Sequence, residues 1–229
     1  MTKRSISIIT AAALAMAAAA QTDDEYRMEI GAGAGLTAYQ GDFNGSIFKG
    51  MQPSGSIIAR RIINPYMALR LGAMFGKLKG GSDASQTFYP DYADGTAYSF
   101  SRNLIDVSLT YEYNFWPYGT GFDYRGAKRV TPFVFGGIGA TSASGGTGKS
   151  AFTANIPIGI GAKWKVATRL NLGIEWAAHF SLSDNLDGVA DPYKVASSGM
   201  FKNTDCYTTL QLTLTYSFMA KCKTCNNDR

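Results

Sequence analysis

Between Ile105 and Phe115 the chain changes character at every residue. Ile105, Val107, Leu109, Tyr111, Tyr113 and Phe115 are apolar or aromatic, and Asp106, Ser108, Thr110, Glu112 and Asn114 between them are polar. Successive side chains of an extended strand point to opposite faces, so this spacing predicts a strand with one oily and one wet face. Seven further segments carry the same period, at 26–39, about 54–63, 67–75, about 131–141, 152–164, 169–180 and 209–218. Each has about the 9 to 11 residues that a tilted strand needs to cross a bilayer. Two of them leave their facing open. In 54–63 the Ile57-Ile58 and Arg60-Arg61 pairs put one of each kind on either face, and 131–141 sets Gly and Phe against Val134, Ile138 and Ala140.

A secreted β-sandwich also alternates, but two features favour a barrel in a membrane. The connections at 64–65 and 166–168 are short, whereas those at 40–53, 79–97 and 182–205 are long and polar. Short turns on one side and long loops on the other are the pattern of outer-membrane barrels. Aromatic residues also collect at the strand ends on the short-turn side: Tyr113, Phe115, Trp116 and Tyr118, then Trp164, then Tyr216 and Phe218. Amphipathic rings prefer the headgroup level, so Trp116, Tyr118, Trp164, Tyr216 and Phe218 are expected to form a girdle. The connection at 117–130 is the one long turn on that side. The expected fold is all-β, an eight-stranded antiparallel transmembrane barrel spanning 21–218, with both termini periplasmic.

The first 20 residues have a cationic start at Lys3 and Arg4, an apolar stretch from Ile6 to Ala20, and small residues before Gln21. That is the layout of a secretory signal peptide cleaved after Ala20. Its loss lowers the formal charge from +5 to +3. So small an excess, spread along the chain, offers no basic stripe to track phosphates, and nucleic acid is not an expected partner. Beyond Ala20 no apolar run reaches the length of a transmembrane helix.

Eight strands close on a lumen that side chains can fill, which argues against bulk diffusion. The inward parity carries Arg27, Glu29, Arg70, Asp106, Glu112, Lys163, Arg169, Glu175 and His179, mixed in sign. Buried charges persist when paired, so these are expected to form a lattice of ion pairs. His179 is the sole histidine, and with Glu175 and Ser181 it has the make-up of a base, an orienting carboxylate and a nucleophile. Some barrel lipid A deacylases use a His-x-Ser pair on a strand. In those enzymes the pair must meet lipid, whereas the lipid-facing parity here holds Trp176, Ala178 and Phe180. Gly145 to Ser150 lacks the leading glycine of a phosphate loop and precedes no helix. No catalytic residue, cofactor or metal is expected.

The eighth segment closes on Tyr216-Ser217-Phe218, resembling the terminal signal of outer-membrane strands, and 219–229 follows as a periplasmic tail. Cys222 and Cys225 are spaced Cys-x-x-Cys without the further ligands zinc requires. Two choices stay open: a local disulfide, or an intermolecular disulfide with a partner. Cys206, at the far end of the last strand, is too distant to join either.

Several short pieces, in order along the chain, resemble PorG-like barrels of type IX secretion systems. They are Gly33-x-Gly35 leading to Tyr39-Gln40-Gly41-Asp42, Asn64-Pro65-Tyr66 with Leu69-Arg70-x-Gly72, and Glu112-Tyr113-Asn114-Phe115. Further along come Pro132-Phe133 with the glycines at 136, 137 and 139, Pro157-x-Gly159-x-Gly161-x-Lys163, and Asn171-Leu172-Gly173-x-Glu175. The resemblance implies a non-enzymatic outer-membrane component contacting the periplasmic ring of the lipoprotein PorK and PorN. Contact residues would then come from 117–130 and the tail, with Arg125, Lys128, Arg129, Cys222 and Cys225 as candidates. The same basic residues could equally face anionic headgroups. A stand-alone structural or adhesive barrel and a lipid A-modifying barrel are the alternatives.

Overall fold

The computed structural model describes residues 25–40, 50–81, 99–119, 127–145, 150–182, 186 and 205–220. The leader expected at 1–20, most of the long connections, Arg125 and residues 221–229 with Cys222 and Cys225 lie outside them. Eight strands run in sequence: β1 (Tyr26–Gln40), β2 (Gln52–Asn64), β3 (Met67–Gly81), β4 (Ser99–Asn114), β5 (Val130–Ser144), β6 (Ala151–Lys165), β7 (Leu170–Ser181) and β8 (Cys206–Ala220). Each pairs antiparallel with its neighbours, and β1 pairs with β8 from Tyr26↔Ala220 to Gln40↔Cys206, closing the barrel. Closure removes both sheet edges, so no backbone ladder is left for lipid to face unsatisfied. This is the eight-stranded antiparallel barrel of the outer-membrane type.

The side-chain distribution is inside-out relative to a soluble domain. Ile30, Ile57, Leu71, Val107, Leu109, Ile160 and Leu212 stand exposed on the wall, while Glu29, Arg60, Asp106, Glu112 and Glu175 are buried within. An exposed apolar band of this extent is stable only against lipid. The two open facings are now settled. Arg60 points inward and Arg61 outward. Phe133 and Phe135 point inward, stacked at 5.8 Å, with Val130 and Ile138 on the wall.

The inward phenylalanines explain two glycines of β6. A Cβ at Gly159 would lie 2.3 Å from the Phe135 ring, and one at Gly161 would lie 2.7 Å from the Phe133 ring. The short turns are locally determined. Asn64 accepts a hydrogen bond from the Tyr66 amide at 2.9 Å, an Asx-type closure. Between β6 and β7 the Val166 amide donates to the Leu170 carbonyl at 2.9 Å.

Several strands extend beyond their sequence-based limits. β3 continues to Gly81, β4 starts at Ser99 and β8 runs two residues past Phe218. In the extension of β4 the apolar residues Phe100 and Leu104 take the inward parity, so the sequence pattern breaks although the ladder continues.

Candidate functional site: a sealed lumen and its turn-side face

Strand register determines the centre of the lumen. β2 lies between β1 and β3, so Arg60 is opposite Glu29 on one side and Arg70 on the other. Two guanidinium groups so placed repel unless an anion stands between them. Glu112 of β4 supplies it. Its Oε2 lies 2.8 Å from Arg60 Nε and accepts from Lys163 Nζ at 2.6 Å, and its Oε1 lies 3.4 Å from Arg70 Nη1. Arg70 Nη1 also reaches Glu175 Oε2 at 2.6 Å, and Arg60 donates to Glu29. Among the described residues the buried cations are Arg60, Arg70, Arg102, Lys163 and Lys165, and the buried carboxylates are Glu29, Asp106, Glu112, Glu175 and Asp205. Five face five, so the lumen is neutral and has no sign preference for a permeating ion.

Toward the loop side, Asp106 gathers a second network. Its Oδ2 accepts from Tyr207 and from Thr141 at 2.9 Å each, and from Asn155. His179 stacks on the Tyr207 ring at 4.5 Å. A cavity of about 30 Å³ between the two networks is lined by Arg70, Asp106, Glu175 and His179 among others, far too small to be a passage.

Side chains from the connections narrow both mouths. On the loop side Tyr39, Leu78, Phe100, Leu104, Leu186 and Tyr207 form an apolar cluster. Leu186, from the long connection between β7 and β8, is fully buried there. Its amide donates to Asp205 at 2.7 Å and its carbonyl accepts from Arg102 at 3.2 Å. On the turn side, the described ends of the connection between β4 and β5, residues 115–119 and 127–129, pack at the barrel mouth. The Tyr118 amide donates to the Pro65 carbonyl at 2.9 Å and the Lys128 amide to the Pro117 carbonyl at 2.7 Å. The Tyr118 hydroxyl donates to Asn171 Oδ1 at 2.9 Å, and the Lys163 and Lys165 ammonium groups lie 5.7 and 5.3 Å from its ring centre. Burial pushes the Tyr118 phenol well above its usual range, with the Glu29 charge adding to the effect, so it stays a donor. Beside it an open cavity of about 200 Å³ is lined by Glu25, Arg27, Glu29, Tyr118 and Lys165 among others.

Several sequence-based expectations change here. Tyr118 was expected in the headgroup girdle but is 7 % exposed and plugs the mouth instead. Trp116, Trp164 and Tyr216 do stand outward, joined by Tyr66, with Phe218 half-buried. Arg27 and Arg169 are exposed at the rim rather than members of the lattice. Arg169 donates instead to the Tyr26 and Tyr216 hydroxyls at 2.9 and 3.0 Å, because it lies in the turn before β7 begins. His179 and Ser181 are buried on the lumen side of the wall, away from its lipid-facing side.

Of the candidate contact residues, Lys128 sits over the Trp116 ring at 4.7 Å and Arg129 follows it on the turn side. Cys206 is half-buried at the loop-side start of β8. No cluster among the described residues has the make-up of a metal site. The sequence reading missed Arg60, Lys165, Arg102, Asp205 and Leu186. Extending the parity of β4 back through Leu104, Arg102 and Phe100 would have found part of the loop-side cap. Nothing local marks Leu186.

A sequence profile described as "Domain of unknown function (DUF6089)" matches residues 3–227. The chain belongs to the DUF6089 family. No curated protein matches this DUF6089 chain. Among solved structures it is similar to Neisserial surface protein A, with 15% identity over 83% of this chain and 97% of that one, at a TM-score of 0.49. OprG from Pseudomonas aeruginosa aligns at 9% identity over 86% and 98%, with a TM-score of 0.48. Ail, the attachment invasion locus protein of Yersinia pestis, aligns at 12% over 86% and 100%, with a TM-score of 0.44. The DUF6089 barrel offers two distinct faces, one at each mouth.

Proposed function

We propose that this protein is a non-conducting anchor in the outer membrane whose turn-side face lies in the periplasm and holds a partner of a secretion apparatus. The resemblance to PorG-like barrels makes that partner the ring of PorK and PorN in a type IX system. One observation carries the reading: the first described residues after β4 are pinned at the barrel mouth by Tyr118, hydrogen-bonded at its hydroxyl to Asn171 and at its amide to Pro65. A turn that only reverses the chain needs two or three residues. A longer one, fixed to the scaffold and carrying Lys128 and Arg129, suits presentation of a surface.

The test is chemical crosslinking in native membranes followed by pulldown of the full chain. Recovery of periplasmic ring proteins is expected, together with loss of cargo export on deletion of the protein. Tyr118→Ala, which releases these residues while the wall persists, should weaken the capture. Normal export in the deletion strain would overturn the reading. It would favour a stand-alone structural or adhesive barrel, for which Leu186 gives the long loop before β8 a fixed root.

A further inference from the structure

The outer wall carries a dent on its turn-side half. Ala162 of β6 faces outward among longer neighbours, and Val130, Trp164, Leu172, Ile174 and Leu212 surround a groove of about 310 Å³ that is apolar almost throughout. Register places it near the end of the wall, since Val130 opens β5 and pairs with Trp164. The segments that flank its turn-side edge, 127–130 and 164–170, contain Lys128, Arg129 and Arg169, with Lys165 buried on the lumen side, and no carboxylate. These cations are held at the girdle level. Lys128 lies 4.7 Å from the Trp116 ring centre, Arg169 bonds two tyrosine hydroxyls, and the Arg129 carbonyl accepts from the Lys165 amide at 2.7 Å.

We propose that this groove is a lipid site, holding one acyl chain of an anionic phosphoglyceride whose phosphate lies at Lys128 and Arg129. An apolar groove at this depth meets hydrocarbon, and a flexible chain can fill a narrow concavity. The cation-only rim selects a negative headgroup over a zwitterionic one. A second copy of the barrel fits less well, because a twofold contact brings the same patch together and sets cations against cations. The inference rests on the membrane reading above, and it turns a general affinity for headgroups into a defined site.

Trp164 lines the groove and can report on it. The full chain carrying Trp116→Phe and Trp176→Phe is refolded into vesicles with increasing brominated phosphatidylglycerol or brominated phosphatidylcholine, and Trp164 fluorescence is followed. Quenching by the glycerol lipid should reach half its limit at a mole fraction several-fold lower than quenching by the choline lipid. Lys128→Gln with Arg129→Gln should bring the two curves together, and Ala162→Leu should reduce quenching by both. Retention of heat-modifiable electrophoretic mobility checks folding, and the rim pair, being exposed or half-exposed, gives a second route if Ala162→Leu fails to fold. Coincident curves in the parent protein, or a preference that survives the rim substitutions, would overturn the site. Absence of quenching by either lipid would instead count against membrane insertion itself.

Discussion

Glu112 is fully buried and has Arg60, Arg70 and Lys163 around a single carboxylate. Breaking a buried ionic group from one side strands its partners, at a cost of about 3 to 5 kcal/mol. Glu112→Gln is therefore expected to lower the unfolding free energy from vesicles by that amount, read as a lower urea midpoint at an unchanged slope. Adding Lys163→Met removes one stranded cation and should recover part of the loss, so the double variant is expected to be more stable than Glu112→Gln alone. Parity made Glu112 and Lys163 legible as lumen residues. It could not rank them, because the sequence does not reveal that three cations share one acid.

For a strand, the controlling fact is what faces it across the lumen. β6 keeps glycine at 159 because the ring of Phe135 and the Trp176 carbonyl lie 2.3 and 2.7 Å from where a Cβ would be. Gly159→Ala is expected to destabilise the barrel by about 1 to 3 kcal/mol, as overpacking does. Phe135→Ala in the same chain should relieve only part of that cost, since the carbonyl stays in place. Denaturation of the single and double variants measures both terms. The glycines of β6 are visible in the sequence as gaps in one parity. Their reason is not, because it lies on β5, whose own facing the sequence left undecided between Phe133 and Val134.

The whole molecule is a cylinder stoppered at three levels: Tyr118 at one mouth, the lattice around Glu112 in the middle, and the cluster around Leu186 at the other mouth. Current across a planar bilayer is expected to be absent, and Tyr118→Ala should leave it absent because the charged lattice still fills the centre. Steps of ionic conductance in the parent protein would contradict the sealed lumen. Sealing also separates the two faces, so whatever binds at one mouth is not fed through the other.

The alternation of side chains determined the strands and, for all but β2 and β5, their two faces, and the loop lengths with the aromatic strand ends determined that the oily face is the outer one. A side chain's parity on a strand is a local property, and a barrel needs only local ladders repeated around a ring. The tertiary structure alone decided what a distant segment does once the ring has closed. Tyr118 has the composition of a girdle residue and becomes a plug because the start of its connection packs at the mouth. Leu186 looks like any loop leucine and becomes a stopper because Asp205 and Arg102 hold its backbone. Both outcomes depend on contacts between residues far apart along the chain, which periodicity does not encode.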